Sequence, residues 1–524
     1  MGKEEHAVEG FDDASAEPGV WRYAMADRVR VIVDAEDYFA LMQEAMLKAH
    51  HRVLLIGWDF DTRIHLTKGR RWWQKGWRKL FPSRLGSFIV WLTRHRKDLE
   101  FRILKWGFGF FNFLSRGSMV FDLIRWAFHR RIDFKLDSVH PLGCCHHQKI
   151  VVVDDRLAVC GGIDMTGARW DTREHRAFDP RRSGPDGNLH GPWHDVTMMV
   201  EGDAGRALDA LGRDRWVRAG GKPLTPVPSS PRSAWPDELE PHFEQVEIGI
   251  ARTRAAYNGW PEVNEIEQLF VAQIARAKRF IYIENQYFAS RVIAEAISER
   301  LQEEDPPEIV LIHPATAHGW IESSTMDPIR TRLVQAMAEV DRHGRFHIYT
   351  AHCGDAPIYI HAKLLIVDDE VLRIGSANFN NRSMGLDSEC DVFIDAARPA
   401  NRHCEEGIRA LRHSLLAEHC GLAVSEVGPL IEQAGSMAGM IAALGTEREH
   451  RLEPYHPGEL SDFERELVDR EMFDPEEPAE LFEIIPRRRG LFRPGSLLGR
   501  AIDKLDKIER RRKIRKNEQP GRTR

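Results

Sequence analysis

One pattern occurs twice in this chain, and it constrains the fold more than anything else in the sequence. His147-Gln148-Lys149-Ile150-Val151-Val152-Val153-Asp154 is followed by Gly161-Gly162, and His361-Ala362-Lys363-Leu364-Leu365-Ile366-Val367-Asp368 by Gly375-Ser376. Both read H-x-K-x4-D-x6-G-[GS], with six identities over sixteen aligned positions. The apolar runs 150–153 and 364–367 predict buried strands. With a side-chain period of two, His147 and Lys149 share one face, as do His361 and Lys363.

The secondary-structure pattern around the motif is also repeated. Val29 to Val33 alternates and is β-branched, Asp34 stands where it can cap a helix over about 36–50, and Arg52 to Trp58 reads as a buried strand. The same order returns as a strand at Gln245–Ile248, a helix near 263–278 and a strand at Arg279–Ile283. Between the copies, Pro223 to Pro241 holds six prolines, which suits an extended linker. The expected organisation is an acidic, poorly ordered 1–28, a first α/β domain over 29–220, a linker over 221–242, a second α/β domain over 243–425, and an extension over 426–524.

Two copies meeting across a pseudo-twofold place two imidazoles and two ammonium groups in one pocket, a set suited to phosphodiester chemistry. One neutral imidazole attacks phosphorus, the other donates a proton to the leaving oxygen, and the lysines balance charge on the non-bridging oxygens. This chemistry calls for no metal and no cofactor. A lone His-x-Lys is ordinarily a surface strand; two copies with matching Asp and small-residue pairs reverse that reading. For Asp154 and Asp368 a strand-end hydrogen bond and a direct catalytic role both remain open. The small pairs Gly161-Gly162 and Gly375-Ser376 are expected to let backbone approach a ligand.

The duplicated motif resembles that of the phospholipase D superfamily over about 29–425. Further stretches resemble its eukaryotic-type branch: Gly161-Gly162-Ile163-Asp164 running into Arg169-Trp170-Asp171, Pro192-Trp193-His194-Asp195, Tyr282-Ile283-Glu284-Asn285-Gln286-Tyr287-Phe288, and Gly375-Ser376-Ala377-Asn378 with Asn381-Arg382-Ser383. The resemblance implies two tandem α/β/α sandwich domains with the active site at their interface. It implies His147 as nucleophile, His361 as general acid and base, and Lys149 and Lys363 as phosphate ligands. Asp164 and Asn378 match positions that complete the phosphate pocket, and Asp195 and Glu389 match carboxylates that hold the far nitrogen of each His. The implied activity is hydrolysis of the distal phosphodiester of a glycerophospholipid to phosphatidic acid through a phosphohistidine, with transfer to other alcohols. Cardiolipin-synthase-like phosphatidyl transfer, a nuclease and a non-catalytic lipid-binding scaffold are the alternatives.

Composition adds limits. The 524 residues are 42% hydrophobic and 29% charged, which excludes a disordered chain. No run approaches the roughly 18 apolar residues of a membrane span, and the acidic start is unlike a signal peptide. Seven cysteines without CxxC spacing argue against a disulfide framework or a zinc motif. A cytoplasmic protein, alone or peripheral on a membrane, is expected, with export by a signal-less route left open. The net charge of −6 divides unevenly: residues 487–524 carry 15 Lys/Arg and 4 Asp/Glu, or +11, leaving −17 elsewhere. That tail, and the basic, Trp-rich stretch 68–84, suit contact with an anionic membrane surface, while nucleic acid is disfavoured. One chain holds both motifs, so a monomer suffices.

Overall fold

The computed structural model describes residue 15 and residues 17–67, 69, 80–107, 117–228, 232–317, 320–461, 464, 465, 468, 474 and 490–517. The basic, Trp-rich stretch 68–84 therefore lies mostly outside the described residues, as does much of the acidic N-terminus.

The first half contributes strands β1 (Arg22–Val33), β2 (Arg52–Gly57), β3 (Glu100–Trp106), β4 (Ile132–Asp137), β5 (Ile150–Val153), β6 (Leu157–Gly161) and β7 (Val196–Gly202). Its helices are α1 (Ala35–Lys48), α2 (Leu85–His95), α3 (Met119–Ala127) and α4 (Asp203–Arg218). The second half repeats the scheme with β8 (Phe243–Arg254), β9 (Phe280–Asn285), β10 (Glu308–His313), β11 (Phe346–Cys353), β12 (Lys363–Val367), β13 (Val371–Gly375) and β14 (Glu389–Asp395). Its helices are α5 (Glu265–Arg276), α6 (Arg291–Arg300), α7 (Trp320–Val340) and α8 (Glu405–Cys420).

In the first half the pairing order is β4-β3-β2-β5-β6-β7-β1, with β2, β3 and β4 parallel and the remaining pairs antiparallel. In the second half it is β11-β10-β9-β12-β13-β14-β8, again with three parallel strands and antiparallel neighbours. The matched edge strands β1 and β8 pair antiparallel, Arg22 opposite Ile250 and Val29 opposite Phe243, which places the pseudo-twofold between them.

Strand alternation divides the apolar residues between layers. In β2, Val53 and Leu55 join the layer under α1 and α2 with Phe39, Met42 and Phe88, while Leu54 and Ile56 point to the other side. In β9, Ile281 and Ile283 pack under α5, α6 and α7, and Tyr282 points inward. The inward side chains of both halves, with Leu208 and Leu211 of α4 and Ile408 and Leu415 of α8, form one core. Each fully buried Leu, Ile or Val contributes about 1.5–3 kcal/mol, so this shared core binds the halves together. The α/β sandwich architecture is as expected from the duplication.

Two boundaries and one helix cap differ from expectation. β1 begins at Arg22, inside the stretch read as disordered, because its first residues pair with β8 rather than with the first half. Asp34 stands at the helix start but makes no side-chain cap; its carboxylate turns inward instead. The second sheet also continues past 425. Helices α9 (Val424–Ala434) and α10 (Met437–Leu444) lead to β15 (His450–Pro454), which pairs antiparallel with β11. Most of the basic tail forms helix α11 (Leu497–Asn517), whose Leu498, Ala501 and Ile502 join the second half's outer core. Arg332 pairs with Asp506 and Lys504 with Glu339, so α11 is docked on α7 rather than appended. All seven cysteines are free and buried, and among the described residues no helix is long and apolar enough to cross a membrane.

Candidate active site

Each motif histidine sits just before its strand, at the junction between the halves. The backbone N–H of His147 donates to Ser388 O at 2.9 Å, and that of His361 to His194 O at 2.8 Å. Each motif is thus docked beside the carboxylate of the other half. His361 Nδ1 is 2.6 Å from Asp195 Oδ2, and His147 Nδ1 is 3.0 and 3.1 Å from the two Glu389 oxygens. Ser376 O accepts from His147 Nδ1 as well, at 3.0 Å. With Nδ1 of each ring engaged by a carboxylate, the free Nε2 is the nitrogen presented to a substrate.

Glu389 is fully buried and is held by the hydroxyls of Ser376 and, at 2.7 Å, Ser383. Lys149 Nζ donates to His147 O at 2.9 Å and pairs with Asp164 Oδ2 at 3.3 Å. Lys363 Nζ donates to His361 O and, at 3.0 Å, to Gln286 Oε1. Aromatic rings wall the pocket: Trp58 is edge-on to His147, and Trp193 lies 5.1 Å from His361 with Arg169 stacked on it at 4.3 Å.

Charge is expensive in this buried pocket. Burial, with Lys149 and Lys363 nearby, holds His147 well below the usual imidazole range. Burial with Lys363, Arg169 and Lys149 does the same to His361. Burial pushes Asp195 up to about 6 and Glu389 up to about 7 against the pull of the lysines. Burial also lowers Lys363 to about 7, outweighing the attraction of Asp195. The resting pocket therefore holds two neutral imidazoles with Lys149 and Lys363 beside them, a set that suits an anion. An anion bound there would supply the negative charge that lets one ring take a proton.

His147, Lys149, His361, Lys363, Asp195 and Glu389 are brought together, and Asp164 reaches Lys149. Asn378 keeps a buried amide oxygen without a hydrogen-bond partner, while its backbone N–H is taken by Ser383 Oγ at 3.1 Å. Asp154 and Asp368 lie elsewhere, at the opposite ends of β5 and β12 from the histidines. Asp154 accepts the backbone N–H groups of His50, His51 and Arg52 at 2.7–2.9 Å, and Asp368 those of Lys278, Arg279 and Phe280 at 2.6–2.8 Å. They anchor the starts of β2 and β9, and the catalytic option for them is corrected to an anchoring one.

The small residues also act differently from expectation. A Cβ on Gly162 would stand 2.0 Å from Asp195 Oδ1, and one on Gly375 1.8 Å from Asp391 Oδ1. A Cβ on Gly161 would meet Thr197. These positions make room for neighbouring side chains, not for a ligand, and Ser376 serves Glu389.

Glu284 and Gln286 alternate with apolar neighbours, a pattern that lets both face the pocket, but only Gln286 reaches Lys363; Glu284 enters a buried cluster with His194 and His419. Arg169 joins the pocket through a loop whose course nothing in the local pattern fixes.

Residues 270–411 match the family model described as "Cardiolipin synthase, PLD-like domain". Phospholipase D alpha 1 of Zea mays is 27% identical over 406 residues, covering 53% of this chain and 49% of that protein. Phospholipase D1 of Saccharomyces cerevisiae is 24% identical over 552 residues, covering 85% of this chain and 32% of that protein. The chain thus spans about half the length of the plant relative and a third of the yeast one. Among solved structures, a phosphatidylserine synthase of Haemophilus influenzae aligns over 73% of this chain and 86% of its own, at 13% identity and a TM-score of 0.47.

Proposed function

Because the chain belongs to the phospholipase D superfamily, we propose that it cleaves the distal phosphodiester of glycerophospholipids, releasing phosphatidic acid and the head-group alcohol. The observation that carries this reading is the crossed bracing of two His-Lys sets, each imidazole oriented by a carboxylate of the opposite half. His147 Nε2 attacks phosphorus and forms a P–N bond as the bond to the head-group oxygen breaks. His361, protonated once the anionic substrate is bound, gives that oxygen its proton. His361 then takes a proton from water, the resulting hydroxide attacks phosphorus, and the P–N bond breaks to release phosphatidic acid. Lys149, Lys363 and Arg169 offset the charge that grows on the non-bridging oxygens.

An alcohol can replace the water, so phosphatidyl transfer belongs to the same intermediate; the match to a family described by cardiolipin synthase supports this second outcome. Access to lipid is supported by α3 and the turn after it, where Phe121, Ile124 and Phe128 are 74%, 52% and 86% exposed beside Arg125. An outward apolar stripe flanked by arginine suits the headgroup layer of a membrane.

The test is incubation of purified protein with vesicles of mixed phospholipids, with and without ethanol, followed by mass spectrometry of the lipids. Phosphatidic acid, joined by phosphatidylethanol when ethanol is present, is expected. No change in any phospholipid overturns the reading.

A further inference from the structure

Directly behind the His361 side of the pocket lies a second polar cluster that the reaction does not use. Asp34 from the end of β1, His175 from a loop, His194 and Glu418 of α8 each offer one donor atom, and these atoms lie within 4.8 Å of one another. His175 Nε2 is 2.9 Å from Glu418 Oε1 and 3.3 Å from Asp34 Oδ2. His194 Nδ1 is 3.0 Å from the same Glu418 oxygen and 3.3 Å from Asp34 Oδ1. Four donors at zinc bond lengths of about 2.0–2.1 Å on a tetrahedron stand about 3.3 Å apart. We propose that Asp34, His175, His194 and Glu418 bind one structural zinc ion.

The outer groups fit that assignment. A ligating histidine characteristically gives its other nitrogen to a carboxylate, which fixes the ring and makes it a better ligand. His175 Nδ1 is 3.0 Å from Asp171 Oδ2, and His194 Nε2 is 2.8 Å from Glu284 Oε2. Glu284 is held in turn by His419 Nε2 at 3.0 Å, and Arg173 engages the second oxygen of Glu418, leaving Oε1 toward the cluster. The centre of the cluster is where hydrogen bonding fails: His194 Nδ1 and Asp34 Oδ2 have no hydrogen-bond partner although both residues are at most 1% exposed. Two of the four residues also hold left-handed backbone, Asp34 at φ 64° and His175 at φ 39°, a strain that surrounding interactions must offset.

Two neutral imidazoles with a dication carry the same charge as two imidazolium ions, so with Arg173 on Glu418 and Arg182 on Asp171 the four carboxylates Asp34, Asp171, Glu284 and Glu418 are matched in either state. Metal content therefore decides between zinc and a pair of protons. Two nitrogens and two oxygens from a closed, fully buried set suit zinc in a structural role. The ion would tie α8 of the second half to the first, next to Asp195, whose N–H donates to Asp34 Oδ1 at 3.1 Å. The inference stands apart from the lipid activity, since metal content is read without substrate.

The experiment is elemental analysis of the full chain purified without chelator, beside Glu418→Gln, His175→Asn and, as a control, His147→Asn. About one zinc per chain is expected in the wild type and in His147→Asn, falling to near none in the two ligand variants. If those variants do not fold, wild-type protein stripped with a strong chelator should melt lower and recover on adding zinc, and cobalt in its place should give the visible spectrum of a tetrahedral site. Folded wild-type protein without zinc, whose melting responds to neither chelator nor added zinc, overturns the proposal; so does zinc retained by both folded ligand variants.

Discussion

Glu389→Gln removes a single charge from the site while keeping the side chain's shape. In the wild type, three protons point at this carboxylate: His147 Nδ1–H, Ser376 Oγ–H and, at 2.7 Å, Ser383 Oγ–H. The amide keeps one acceptor oxygen and sets N–H donors against those groups. A hydrogen bond to a charged acceptor contributes about 1.5–3 kcal/mol, and that much of the resting order of His147 is at stake. The larger loss is expected in the proposed reaction, where the phosphorylated ring would become cationic 3.0 Å from a buried counter-charge. In a serine-protease triad the same Asp-to-Asn exchange beside the catalytic imidazole lowers kcat about 10⁴-fold, or about 5.5 kcal/mol. Since the two hydroxyls here soften the change by reorienting, kcat is expected to fall about 10³- to 10⁴-fold with KM little altered. The assay is p-nitrophenolate release from a p-nitrophenyl phosphodiester, with a melting curve on the same sample. A folded variant whose kcat stays within about tenfold of wild type refutes the positioning role.

Asp368→Ala leaves three backbone N–H groups without their acceptor and is expected to cost about 3 kcal/mol or more, while the folded fraction keeps its kcat; denaturant melts and rates below the melting range check this. A folded variant that has lost turnover contradicts the anchoring role. Gly162→Ala drives a methyl into Asp195 and should lower kcat through the displaced His361, more than it lowers stability. The pH profile of kcat/KM is expected to peak near 7. Below that, Glu389, pushed up to about 7 by burial, takes a proton and the counter-charge on His147 goes. Above it, Lys363, lowered to about 7 by burial, loses the ammonium that faces phosphate. Lys363→Arg should carry the alkaline limb upward, and a profile flat from about pH 5 to about pH 9 contradicts both assignments.

Much of this site is legible in the sequence because it is written twice. The continuous apolar runs at 150–153 and 364–367 predict the buried strands, and the matched motifs imply both the twofold and the shared pocket. What a linear pattern does not carry is partner choice. Asp154 and Asp368 satisfy backbone donors about a hundred residues earlier in the chain, and Gly162 and Gly375 make space for carboxylates rather than ligand, because tertiary neighbours decide what a repeated pattern is for. β1 starts at Arg22 and β15 closes the second sheet for a similar reason: both ends pair with strands remote in sequence. The buried Asp34, His175, His194 and Glu418 come from four separate segments, and no spacing rule joins them.

The proposed reaction requires a covalent intermediate at His147 that His361 is needed to resolve. The direct measurement is a rapid-mixing burst with a p-nitrophenyl phosphodiester, whose leaving group needs no acid, on His361→Asn and His147→Asn proteins. His361→Asn should release about one p-nitrophenolate per chain and then stall, with the phosphoryl adduct found on the peptide that carries His147, while His147→Asn releases none. A burst from His147→Asn, or no adduct in His361→Asn, contradicts it.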